Sequence, residues 1–410
     1  MADKNIYDVI IVGGGASGLF CAASYGRPVK GLILEQSDSG GKKLLMSGSG
    51  QCNITHSGDI KEFIKYYGEN GKKIRSILYR FNNKSVVDFF ESRGVPLLER
   101  EDGKVFPKSL DAKDILNILK ASGSQNGFQI NYKQKVCKIE ISDGKYVVIC
   151  EDLKDKKQVK YTALKLVIAA GGCSYPSTGS DGSIFPVLEE LGIQIIKLKP
   201  ALAPVYVQEY PYTQLSGISF SPASVKVNRR ENQDALLLTH TGFSGPAVIN
   251  ISRYVHTGDQ LVINYFPGKS FEEIFSEIKQ NVPKSSKQTV NFLIEYLGTA
   301  ISKRFIEKVC ERAGIESSRK VSSLTGGQIK SLAELLTRDT FSVSGTGGFN
   351  GAMVTAGGVA LTEVDLKTME CRKYPGLFFV GEVLDVDGDT GGYNLQFAWS
   401  SGYLAANVSY

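Results

Sequence analysis

Three glycines near the beginning of the chain, Gly13, Gly15 and Gly18, have a spacing that suggests ligand chemistry. In a G-x-G-x-x-G pattern the first glycine permits a tight turn, the second lets the backbone approach a diphosphate, and the third allows a helix to pack closely. Glu35 follows at the distance where a carboxylate can accept hydrogen bonds from ribose hydroxyls. We therefore expect this stretch to bind the adenosine diphosphate half of a dinucleotide.

The segments around these glycines predict the elements that must hold them. An apolar run at 7–12 is typical of a buried parallel strand, 19–24 predicts the first turns of a helix, and 31–34 predicts a second strand that ends at Glu35. The amino terminus of such a helix offers N–H groups and a partial positive charge to phosphates. A glycine-rich turn without a ligand is the alternative, but the ordered succession of strand, glycines, helix, strand and acid disfavours it.

The far end of the sequence favours FAD over NAD. Residues 374–380 predict a turn and a strand that lead into Gly381 and Glu382, as expected where a flavoprotein chain returns to the ribityl phosphate. The Gly-Gly turn at 391–392 precedes a helix predicted at 396–406 and offers further N–H groups to the flavin or to a phosphate. NAD dehydrogenases have no such return of the chain.

Two internal segments support the same cofactor. Residues 166–172 predict an apolar strand that ends in Gly-Gly, where the chain would re-enter the sheet beside the cofactor. Residues 135–141 predict a strand that borders the adenine, with Val136 as its backbone contact. The sequence therefore predicts FAD.

Seven stretches of the chain resemble, in order, a bacterial flavoprotein family that includes BaiN and the aminoacetone oxidases. They are GGGASGLFCA, GKKLLMSGSGQCNITH, KVFPKSLDAKDIL, VIAAGGCSYPSTGSDG, LLTHTGFSGPAVINIS, GAMVTAGGV and FFVGEVLDVDGDTGGYNLQFAWSSGYLAA. The resemblance covers nearly the whole chain, and the last stretch is its most specific part. It implies an oxidoreductase whose FAD-binding domain is interrupted by an insertion and is distantly similar to the fumarate reductase flavoprotein fold.

The sequence departs from the family pattern at two positions. Gln51 stands where the family usually has Arg in GxGRCN, so a contact of that Arg with an anionic group or the flavin edge is missing, although Cys52 and Asn53 match. His56 stands where the family often has Asn, and fumarate reductase relatives can carry covalent FAD on a histidine in this region. Nothing in the resemblance supports such a link at His56, and we expect non-covalent FAD.

The motifs and the resemblance together predict a set of cofactor contacts along the chain. The predicted FAD-binding residues are Gly13, Gly15, Ala16, Ser17, Gly18, Glu35, Gln36, Lys42, Lys43, Ser47, Gly48, Gly50, Cys52, Asn53, Val136, Ala170, Gly171, Gly381, Glu382, Asp387, Gly391, Gly392, Tyr393, Asn394 and Leu395. No metal ligand is predicted, because the cysteines are scattered and form no CxxC pair.

The chain changes character at about residue 197, and glycine-rich, flavin-type sequence returns from about residue 341. We predict an α/β fold with a Rossmann-like FAD-binding domain of the two-dinucleotide-binding type at 1–196 and 338–410. An inserted domain at 197–337, a mixed β-barrel with helices, would select or cover the substrate.

Local patterns predict the smaller elements of both domains. In the FAD-binding domain, 61–93 has a helical pattern, 113–121 predicts a capped helix, and the turn at 142–145 predicts a β-hairpin. In the inserted domain, short strands are followed by helices, of which the longest spans 289–310 and another 331–336.

Lys43 is one of three residues that we predict to take part in the reaction. Together with Lys42, it resembles the family's Gly-Arg/Lys-Lys stretch, and a cation there would contact an FAD phosphate or stabilise the reduced, anionic flavin near its N1–C2 carbonyl region. A solvated basic turn is the alternative, and it suits Lys42 better than Lys43.

His240 and Thr355 are the other two predicted catalytic residues. His240 precedes a helix expected to start near Pro246 and could orient the substrate or transfer a proton, although a histidine that ties the two domains together is the favoured alternative. Thr355 could donate a hydrogen bond to flavin N5 or to the substrate. A site of tight backbone packing is its alternative.

Composition limits the classes of partner. The net charge of +6 is spread over 410 residues without a basic block that has interleaved aromatics, so we expect a small-molecule substrate and no nucleic acid. No apolar run reaches the roughly 18 residues that a membrane span requires. The seven unpaired cysteines indicate a reduced compartment, and we expect a cytoplasmic protein. The oligomeric state is not indicated.

The predicted function is that of an FAD-dependent oxidoreductase; two reactions stay open, and a non-catalytic role is a further alternative. The first is the NAD(P)H-linked reduction of an activated C=C bond in a small organic substrate, or the reverse dehydrogenation. NAD(P)H would bind transiently, because no second complete G-x-G-x-x-G motif is present. The alternatives are an amine oxidase of the aminoacetone oxidase type that uses oxygen, and a non-catalytic flavin-binding regulatory or RNA-modification accessory protein.

Overall fold

The computed structural model describes residues 6–282, 285–298 and 301–408. The chain divides into two compact units, which we call the dinucleotide unit (the described residues within 1–200 and 352–410) and the barrel unit (those within 201–351). The predicted insertion at 197–337 therefore begins close to the observed division but ends before it.

The strands of the described chain are numbered in chain order. They are β1 (Ile6–Val12), β2 (Gly31–Glu35), β3 (Thr55–His56), β4 (Leu97–Glu99), β5 (Lys104–Pro107), β6 (Phe128–Tyr132), β7 (Gln134–Ser142), β8 (Lys145–Asp152), β9 (Lys157–Ile168), β10 (Ile195–Ala201), β11 (Val205–Val207), β12 (Ser219–Val227), β13 (Arg230–Leu238), β14 (Gly242–Ser244), β15 (Gln260–Asn264), β16 (Asp339–Thr346), β17 (Val354–Val359), β18 (Val364–Asp365), β19 (Glu370–Cys371) and β20 (Leu377–Phe379).

The α-helices are numbered in the same way. They are α1 (Ala16–Ala23), α2 (Lys42–Met46), α3 (Ile60–Phe63), α4 (Arg75–Arg80), α5 (Asn83–Glu91), α6 (Ala112–Gln125), α7 (Ile184–Glu190), α8 (Pro246–Ile249), α9 (Phe271–Asn281), α10 (Thr289–Leu297), α11 (Lys303–Arg312), α12 (Gly326–Thr337), α13 (Gly348–Gly351) and α14 (Tyr393–Ala406).

A mixed sheet forms the centre of the dinucleotide unit, with the order β18-β19-β20-β9-β1-β2-β6 and with β8 joining β7 to β9. The pairs β1–β2, β1–β9 and β9–β20 are parallel. Val12 is paired with Leu34 and with Ile168, and Ile168 with Phe379, so these strands end at one edge of the sheet. In such folds ligands bind beyond the carboxyl ends of the strands.

Helix α14 packs unusually close to α1 on this sheet. A β-carbon added at Gly402 would lie 2.9 Å from the Ser17 carbonyl oxygen, so a larger residue could not fit without displacing the backbone. The indole of Trp399 lies 5.0 Å from the ring of Phe20 between centroids. The small residues of α14 therefore serve close helix packing, and both helices begin three residues earlier than the sequence patterns predicted.

The barrel unit contains a closed six-stranded barrel in the order β11-β14-β13-β12-β15-β16. Strand β16 pairs with both β15 and β11 and so completes the barrel. The predicted boundary at 337 cut this strand off, because glycines after Phe341 resemble the flavin-binding stretches in composition.

A buried carboxylate ties the barrel to its helices. Asp339 is 2% exposed, and Arg312 donates to its Oδ2 at 2.7 Å and to its Oδ1 at 2.9 Å. The hydroxyls of Tyr212 and Tyr265 donate to the same Oδ2 at 2.5 Å and 3.1 Å. The ion pair is thus enclosed by hydrogen bonds, as a buried charge requires.

Two regions with a predicted helical pattern contain more than one helix in the structure. The region 61–93 contains α3, α4 and α5 with 3₁₀ turns between α3 and α4, and the Asn82 side chain caps α5 by accepting from the Ser85 N–H. The predicted helix 289–310 is two helices, because Gly298 has φ = 108°, which is outside the helical region; residues 299–300 lie outside the described chain. The predicted capped helix and the hairpin at 142–145 are confirmed by α6, with Asp111 as its N-cap, and by β7–β8.

Candidate functional site

The glycine loop after β1 combines two tightly packed positions with one open position. A β-carbon at Gly13 would lie 2.4 Å from the Ala169 carbonyl oxygen, and one at Gly18 would lie 2.1 Å from the Gly13 carbonyl oxygen. A β-carbon at Gly15 would meet nothing within 4 Å. Gly15 is the N-cap of α1 and has open space beside its α-carbon, so a phosphate could approach the amino terminus of this helix there.

The neighbouring residues of the loop join α1 to the strand β20. Ala16 is the first residue of α1, and the buried Ser17 donates from Oγ to the Val380 carbonyl oxygen at 3.4 Å. Gly381 has φ = 72°, and a β-carbon there would lie 2.4 Å from Ser17 Oγ. The Ser17 hydroxyl therefore has a structural role, and a ligand contact at Ala16 or Ser17 would use the backbone.

Glu35 lies at the end of β2, with its carboxylate held against the glycine loop. The Gly14 N–H donates to Oε2 and the Ser37 N–H donates to Oε1, both at 2.7 Å. The residue is only 7% exposed. An ionised carboxylate has about four acceptor positions, so about two remain for ribose hydroxyls.

A second loop approaches Glu35 from the other side. The Gln36 amide donates to the Gly179 carbonyl oxygen and, at 3.3 Å, to Asp181 Oδ1. Lys135, the neighbour of the buried Val136 on β7, lies 3.5 Å from Asp181 Oδ2. Gln36 and Lys135, the residue before the predicted adenine contact Val136, therefore both contact the loop at 179–181.

Lys43 forms an ion pair instead of presenting a lone cation. Its Nζ lies 2.7 Å from Glu382 Oε2, with the two side chains 28% and 18% exposed. Glu382 Oε1 accepts from the Thr355 N–H at 2.8 Å. A β-carbon at Gly172 would lie 2.4 Å from Thr355 Oγ1 and 3.0 Å from Glu382 Oε1, so three distant segments meet beside this glycine.

The side chain of Thr355 is buried and contacts the segment after β9. Its side chain is 0% exposed, and its Oγ1 accepts from the Cys173 N–H at 2.8 Å and shares a 2.9 Å hydrogen bond with Ser174 Oγ. The hydroxyl fixes the turn at 173–174 and is fully engaged there. The geometry therefore favours the packing alternative over a hydrogen bond to the flavin.

Of the other predicted residues, Lys42 is partly exposed and His240 is exposed. Lys42 pairs with Asp38 at 2.7 Å on the surface of α2, which agrees with the solvated-turn alternative. His240 lies in the barrel unit, in the exposed turn between β13 and β14, and α8 begins at Pro246 as expected.

The loop at 47–53 has an uncommon backbone. Four of its residues, Gly48, Ser49, Gly50 and Cys52, have φ of 56°, 59°, 88° and 60°. Left-handed conformations are costly for residues other than glycine and tend to be kept at functional sites. Ser47 helps to hold the loop, because its Oγ donates to the Leu44 carbonyl oxygen at 2.7 Å and its carbonyl oxygen accepts from the Cys52 N–H at 2.9 Å.

Two observations on this loop concern Cys52 and Asn53. Burial raises the pKa of the Cys52 thiol to about 12, so it stays protonated and is no redox-active thiolate. With its amide turned to satisfy its neighbours, Asn53 donates to the Thr55 carbonyl oxygen at 2.8 Å and accepts from the Gly392 N–H at 3.0 Å. Asn53 thus attaches the loop to the beginning of α14.

The turn at 387–395 forms the amino terminus of α14. Gly391 and Gly392 have φ of 121° and 95°, and a β-carbon at Gly392 would lie 2.7 Å from the Thr55 carbonyl group. Asn394 accepts from the Gly388 N–H and donates to the Gly388 carbonyl oxygen, both at 2.8 Å. Asp387 is 9% exposed, and Leu395 is half-buried in the first turn of the helix.

An aromatic stack supports this turn. The Tyr393 ring lies 4.2 Å from Tyr66 and 5.6 Å from His56 between centroids, and burial raises the pKa of Tyr393 above its usual value. His56 Nδ1 accepts from the Gly58 N–H at 3.1 Å, and its Nε2 lies 3.0 Å from the Asp102 carbonyl oxygen. Both ring nitrogens are therefore engaged, which gives no support to a covalent flavin link at His56.

Comparison with known proteins gives this geometry a family. The profile of the HI0933-like protein Rossmann domain matches residues 7–408. The chain belongs to this family. Its members and structural neighbours are flavoproteins with a Rossmann-like FAD-binding fold, so the predicted fold class and the assignment as an FAD-dependent oxidoreductase are confirmed.

Three curated relatives match almost the full length of the chain. Two are named ribosomal RNA dihydrouridine synthase: that of Haemophilus influenzae is 32% identical, with 97% of each chain covered, and that of Escherichia coli is 30% identical, with 98% of this chain and 97% of the relative covered. The 3-dehydro-bile acid delta(4,6)-reductase of Clostridium scindens is 28% identical, with 97% of this chain and 98% of the relative covered.

Solved structures agree on the fold. The open conformation of a flavocytochrome c3 fumarate reductase has a TM-score of 0.53 at 14% identity, over 99% of this chain and 78% of that chain. The 3-ketosteroid-delta4-(5alpha)-dehydrogenase of Rhodococcus jostii has a TM-score of 0.53 at 15% identity, over 99% and 98%. Among the described residues, no helix has the length and apolar character needed to cross a membrane.

The residues of the dinucleotide unit fit FAD. Gly15 leaves the first turn of α1 open, Glu35 keeps acceptor capacity, and Ala170 and Gly171 follow β9 at the same sheet edge, with Gly171 at φ = 75°. The sequence patterns missed Ser180, whose buried Oγ has no hydrogen-bond partner among the described residues. Its stretch, PSTGSDG, belongs to a motif quoted for the family resemblance, but periodicity cannot show that a hydroxyl is buried.

Proposed function

We propose that this flavoprotein reduces a C=C bond conjugated with a ring carbonyl and that its substrate is a uridine of ribosomal RNA. The observation that carries the proposal is the full-length match, at 32% and 30% identity, to two relatives named ribosomal RNA dihydrouridine synthase. Conversion of uridine into dihydrouridine saturates the C5=C6 bond of the uracil ring, which is conjugated with the C4 carbonyl group.

The third relative is named for a reaction of the same type. A delta(4,6)-reductase acting on a 3-dehydro bile acid reduces ring double bonds in the presence of a 3-oxo group. In both substrates a hydride adds to the carbon remote from the carbonyl group, and a proton adds to the carbon next to it. The activated C=C bond expected from the sequence therefore suits both the uridine and the bile-acid substrate. We choose uridine because the two synthases have the higher sequence identity to this chain.

After its reduction by NAD(P)H, bound FAD would supply the hydride, and residues of the chain would hold it in place. The N–H groups at Gly15 and the start of α1 would bind the diphosphate, and Glu35 would accept from the ribose. Lys43 uses one donor for Glu382, and an ammonium group has three. A remaining Nζ–H would donate to the flavin or to the substrate carbonyl group. Because the Lys43–Glu382 ion pair has no net charge, Lys43 would orient the flavin or the substrate more than it would stabilise a negative charge on it.

An RNA substrate conflicts with the composition-based expectation of no nucleic acid partner, and that expectation stays untested. A ribosomal substrate also requires the cytoplasm, in agreement with the localisation that the cysteines indicate. NAD(P)H is proposed as the electron donor. It would bind transiently, because the chain has no second complete dinucleotide motif.

The proposal is tested by deleting the gene and measuring dihydrouridine in ribosomal RNA by nucleoside mass spectrometry. We expect loss of dihydrouridine, restoration by the wild-type gene, and weak restoration by Lys43→Met compared with Lys42→Met, whose lysine pairs on the surface. An unchanged dihydrouridine content would refute the RNA substrate. Reduction of a steroid 4,6-dien-3-one by the purified protein would then assign the small-molecule reaction instead.

Purified protein distinguishes the reductase from the amine oxidase alternative. Under anaerobic conditions NADH or NADPH should bleach the flavin absorption, and recovery in air should be slow. Bleaching by a primary amine with rapid recovery in air, and none by either nicotinamide, would contradict the reductase.

A further inference from the structure

One stretch of the dinucleotide unit, residues 61–84, has a marked excess of positive charge. It contains seven lysines and arginines and two glutamates, whereas the net charge of the whole chain is +6. Apolar residues such as Phe63, Tyr67 and Ile74 separate the cations in the sequence, but these residues are buried in the fold and all seven cations are exposed. The cations are Lys61, Lys65, Lys72, Lys73, Arg75, Arg80 and Lys84.

Carboxylates neutralise little of this charge. Within the described chain, Lys65 is the only one of the seven cations that pairs with a carboxylate. Lys73 Nζ donates to the Asn70 amide oxygen at 2.8 Å, and the guanidinium of Arg75 lies 5.0 Å from the centre of the Tyr79 ring. A neutral amide and an aromatic ring orient these cations without cancelling their charge, so the surface remains attractive to anions.

The same stretch is attached to the turn that precedes α14. The Asn70 amide donates to the Asp385 carbonyl oxygen at 2.7 Å and to Asp385 Oδ2 at 3.1 Å. The Tyr66 carbonyl oxygen accepts from the Asp389 N–H at 2.8 Å. Lys73, which donates to Asn70, is therefore one side chain away from the turn that we predict to contact the flavin.

An exposed aromatic ring lies beside these cations. The Tyr393 ring is nearly parallel to the rings of Tyr66 and His56, with interplanar angles of 13° and 15°. Tyr66 is still 38% exposed, although Tyr393 covers one face of its ring. Bases of single-stranded nucleic acids stack on exposed rings of this kind, and cations next to such rings bind the phosphates.

We propose that Lys65, Tyr66, Lys72, Lys73 and Arg75, which we call the basic strip, bind a single-stranded segment of RNA beside the uridine that is reduced. The cations contact backbone phosphates, and the Tyr66 ring stacks on a base. The inference rests on the proposed RNA substrate, because a bile acid skeleton has neither phosphates nor bases. Phosphate contacts carry no sequence information, so the strip positions the RNA and leaves the choice of uridine to other contacts.

The phosphate contacts are tested with the double variant Lys72→Ala, Lys73→Ala. Both side chains are exposed, so the melting temperature and the FAD content should not change. Ribosomal RNA from the deletion strain should bind about tenfold more weakly, as measured by fluorescence anisotropy. The plot of log affinity against log salt concentration should become shallower by about 1.4, because two contacts to a single strand are lost.

The matched control is the double variant Lys156→Ala, Lys157→Ala. These two lysines are also adjacent and exposed, and they lie where β9 begins, whereas the sheet edge with the glycine loop is at the other end of β9. The control should keep the RNA affinity and the salt dependence of the wild type. An equal loss in the control would overturn the proposal, because only the total charge would then matter.

The stacking contact is tested with Tyr66→Leu and Tyr66→Phe. Leucine has no aromatic face, so Tyr66→Leu should bind RNA about tenfold more weakly, whereas Tyr66→Phe keeps the ring and should bind like the wild type. Melting temperature and FAD content show whether the turn before α14 is intact in both variants. Equal RNA affinity of the two variants would refute the stacking contact.

Dihydrouridine in the deletion strain carrying each variant separates this inference from the proposed function. We expect weak restoration by Lys72→Ala, Lys73→Ala and full restoration by Lys156→Ala, Lys157→Ala. If the wild type and the Lys72, Lys73 variant restore dihydrouridine and bind RNA equally well, the basic strip is refuted and the reduction of uridine stands. If the wild type restores no dihydrouridine, the proposed function is refuted, and the basic strip is refuted with it.

Discussion

Two buried carboxylates, one in each unit, show how differently the chain uses the same group. Glu35, at the end of β2, accepts two backbone N–H groups, one on each oxygen. Asp339, at the start of β16, accepts four donors, two from the guanidinium of Arg312 and two from tyrosine hydroxyls. Both residues are less than a tenth exposed.

The difference lies in the acceptor capacity that remains. A carboxylate offers about four acceptor positions, so Asp339 is saturated, whereas Glu35 keeps about half of them. Asp339 also has its countercharge, which a buried ion pair needs if it is to be tolerated. Burial and hydrogen bonding therefore do not by themselves distinguish Glu35 from Asp339, but the acceptor positions that remain on Glu35 beside an open glycine do.

The largest effect is expected in the barrel unit. Asp339→Asn removes the countercharge of Arg312 and turns a donor towards its guanidinium, so the free energy of unfolding should fall by about 3–5 kcal/mol. Urea unfolding measures this loss, and absorbance measures the FAD content of the protein that stays folded.

The matched control is Glu311→Gln, which removes a surface pair with Lys308 and should cost less than about 1 kcal/mol. FAD content should be normal in both variants. Loss of FAD from folded Asp339→Asn protein would contradict the contrast with Glu35, because Asp339 would then also contribute to FAD binding.

The glycine loop provides the next largest effect. Gly18→Ala places a β-carbon against the Gly13 carbonyl oxygen and should lower the free energy of unfolding by about 2–3 kcal/mol. Gly15→Ala meets no atom within 4 Å, so the protein should stay within about 1 kcal/mol of wild type while its FAD affinity falls. Thermal unfolding with and without FAD measures both. Equal destabilisation by the two changes would show that the space at Gly15 is not open.

Glu35→Gln tests the unused acceptor capacity directly. The variant keeps the size of the side chain and loses its charge, and FAD should bind about 10–100-fold more weakly, because hydrogen bonds to charged groups contribute about 1.5–3 kcal/mol. Fluorescence titration gives the affinity. Glu370→Gln is the control, since Glu370 also accepts a backbone N–H, from Gly376 at 2.7 Å. Equal losses in both variants would argue against a role of Glu35 in binding.

The last effect is absent at neutral pH and concerns a buried group that carries no charge. Burial raises the pKa of Cys52 to about 12, whereas an unfolded thiol ionises near pKa ~8.5. Because the folded-state pKa is the higher one, the stability that this thiol contributes is fully present below about pH 8.5. It is lost as the pH rises towards the folded-state pKa.

Cys52→Ala removes the contribution of this thiol. Between about pH 9 and 11, the free energy of unfolding of the wild type should therefore fall by about 1.4 kcal/mol more per pH unit than that of the variant. Urea unfolding over this range gives the two slopes. Cys137→Ala, a change at an exposed cysteine, should keep the wild-type slope. If Cys52→Ala also keeps the wild-type slope, the Cys52 thiol ionises in the folded protein.

The sequence pattern singled out Glu35 as a candidate and gave no sign of Asp339, for a physical reason. Glu35 follows the glycines within one β-α-β unit, whose geometry fixes the spacing of the residues that matter. Asp339 depends on Tyr212, far away along the chain, and no local pattern reports such a pairing. For the same reason the predicted domain boundary at 337 lies before β16, the strand that Asp339 begins.

The predicted catalytic residues show the same limit. Lys43 and Thr355 were singled out by type, but only the structure shows that Glu382 contacts both and that the threonine hydroxyl is engaged. Ser180 was overlooked because a serine in a glycine-rich loop is ordinarily exposed, and its burial depends on Gly171. Motifs indicate which segments meet at the sheet edge, whereas side-chain roles depend on contacts between segments.

The close packing of α14 on α1 has a consequence for the order of events during protein synthesis. Gly402 of α14 lies against Ser17 of α1, yet the ribosome makes α14 only after the whole barrel unit. A nascent chain that has emerged up to β20 therefore has the glycine loop but lacks the helix that braces it. Flavin loading should follow translation of α14, so a shortage of the cofactor would leave complete polypeptides waiting for it instead of stalled fragments.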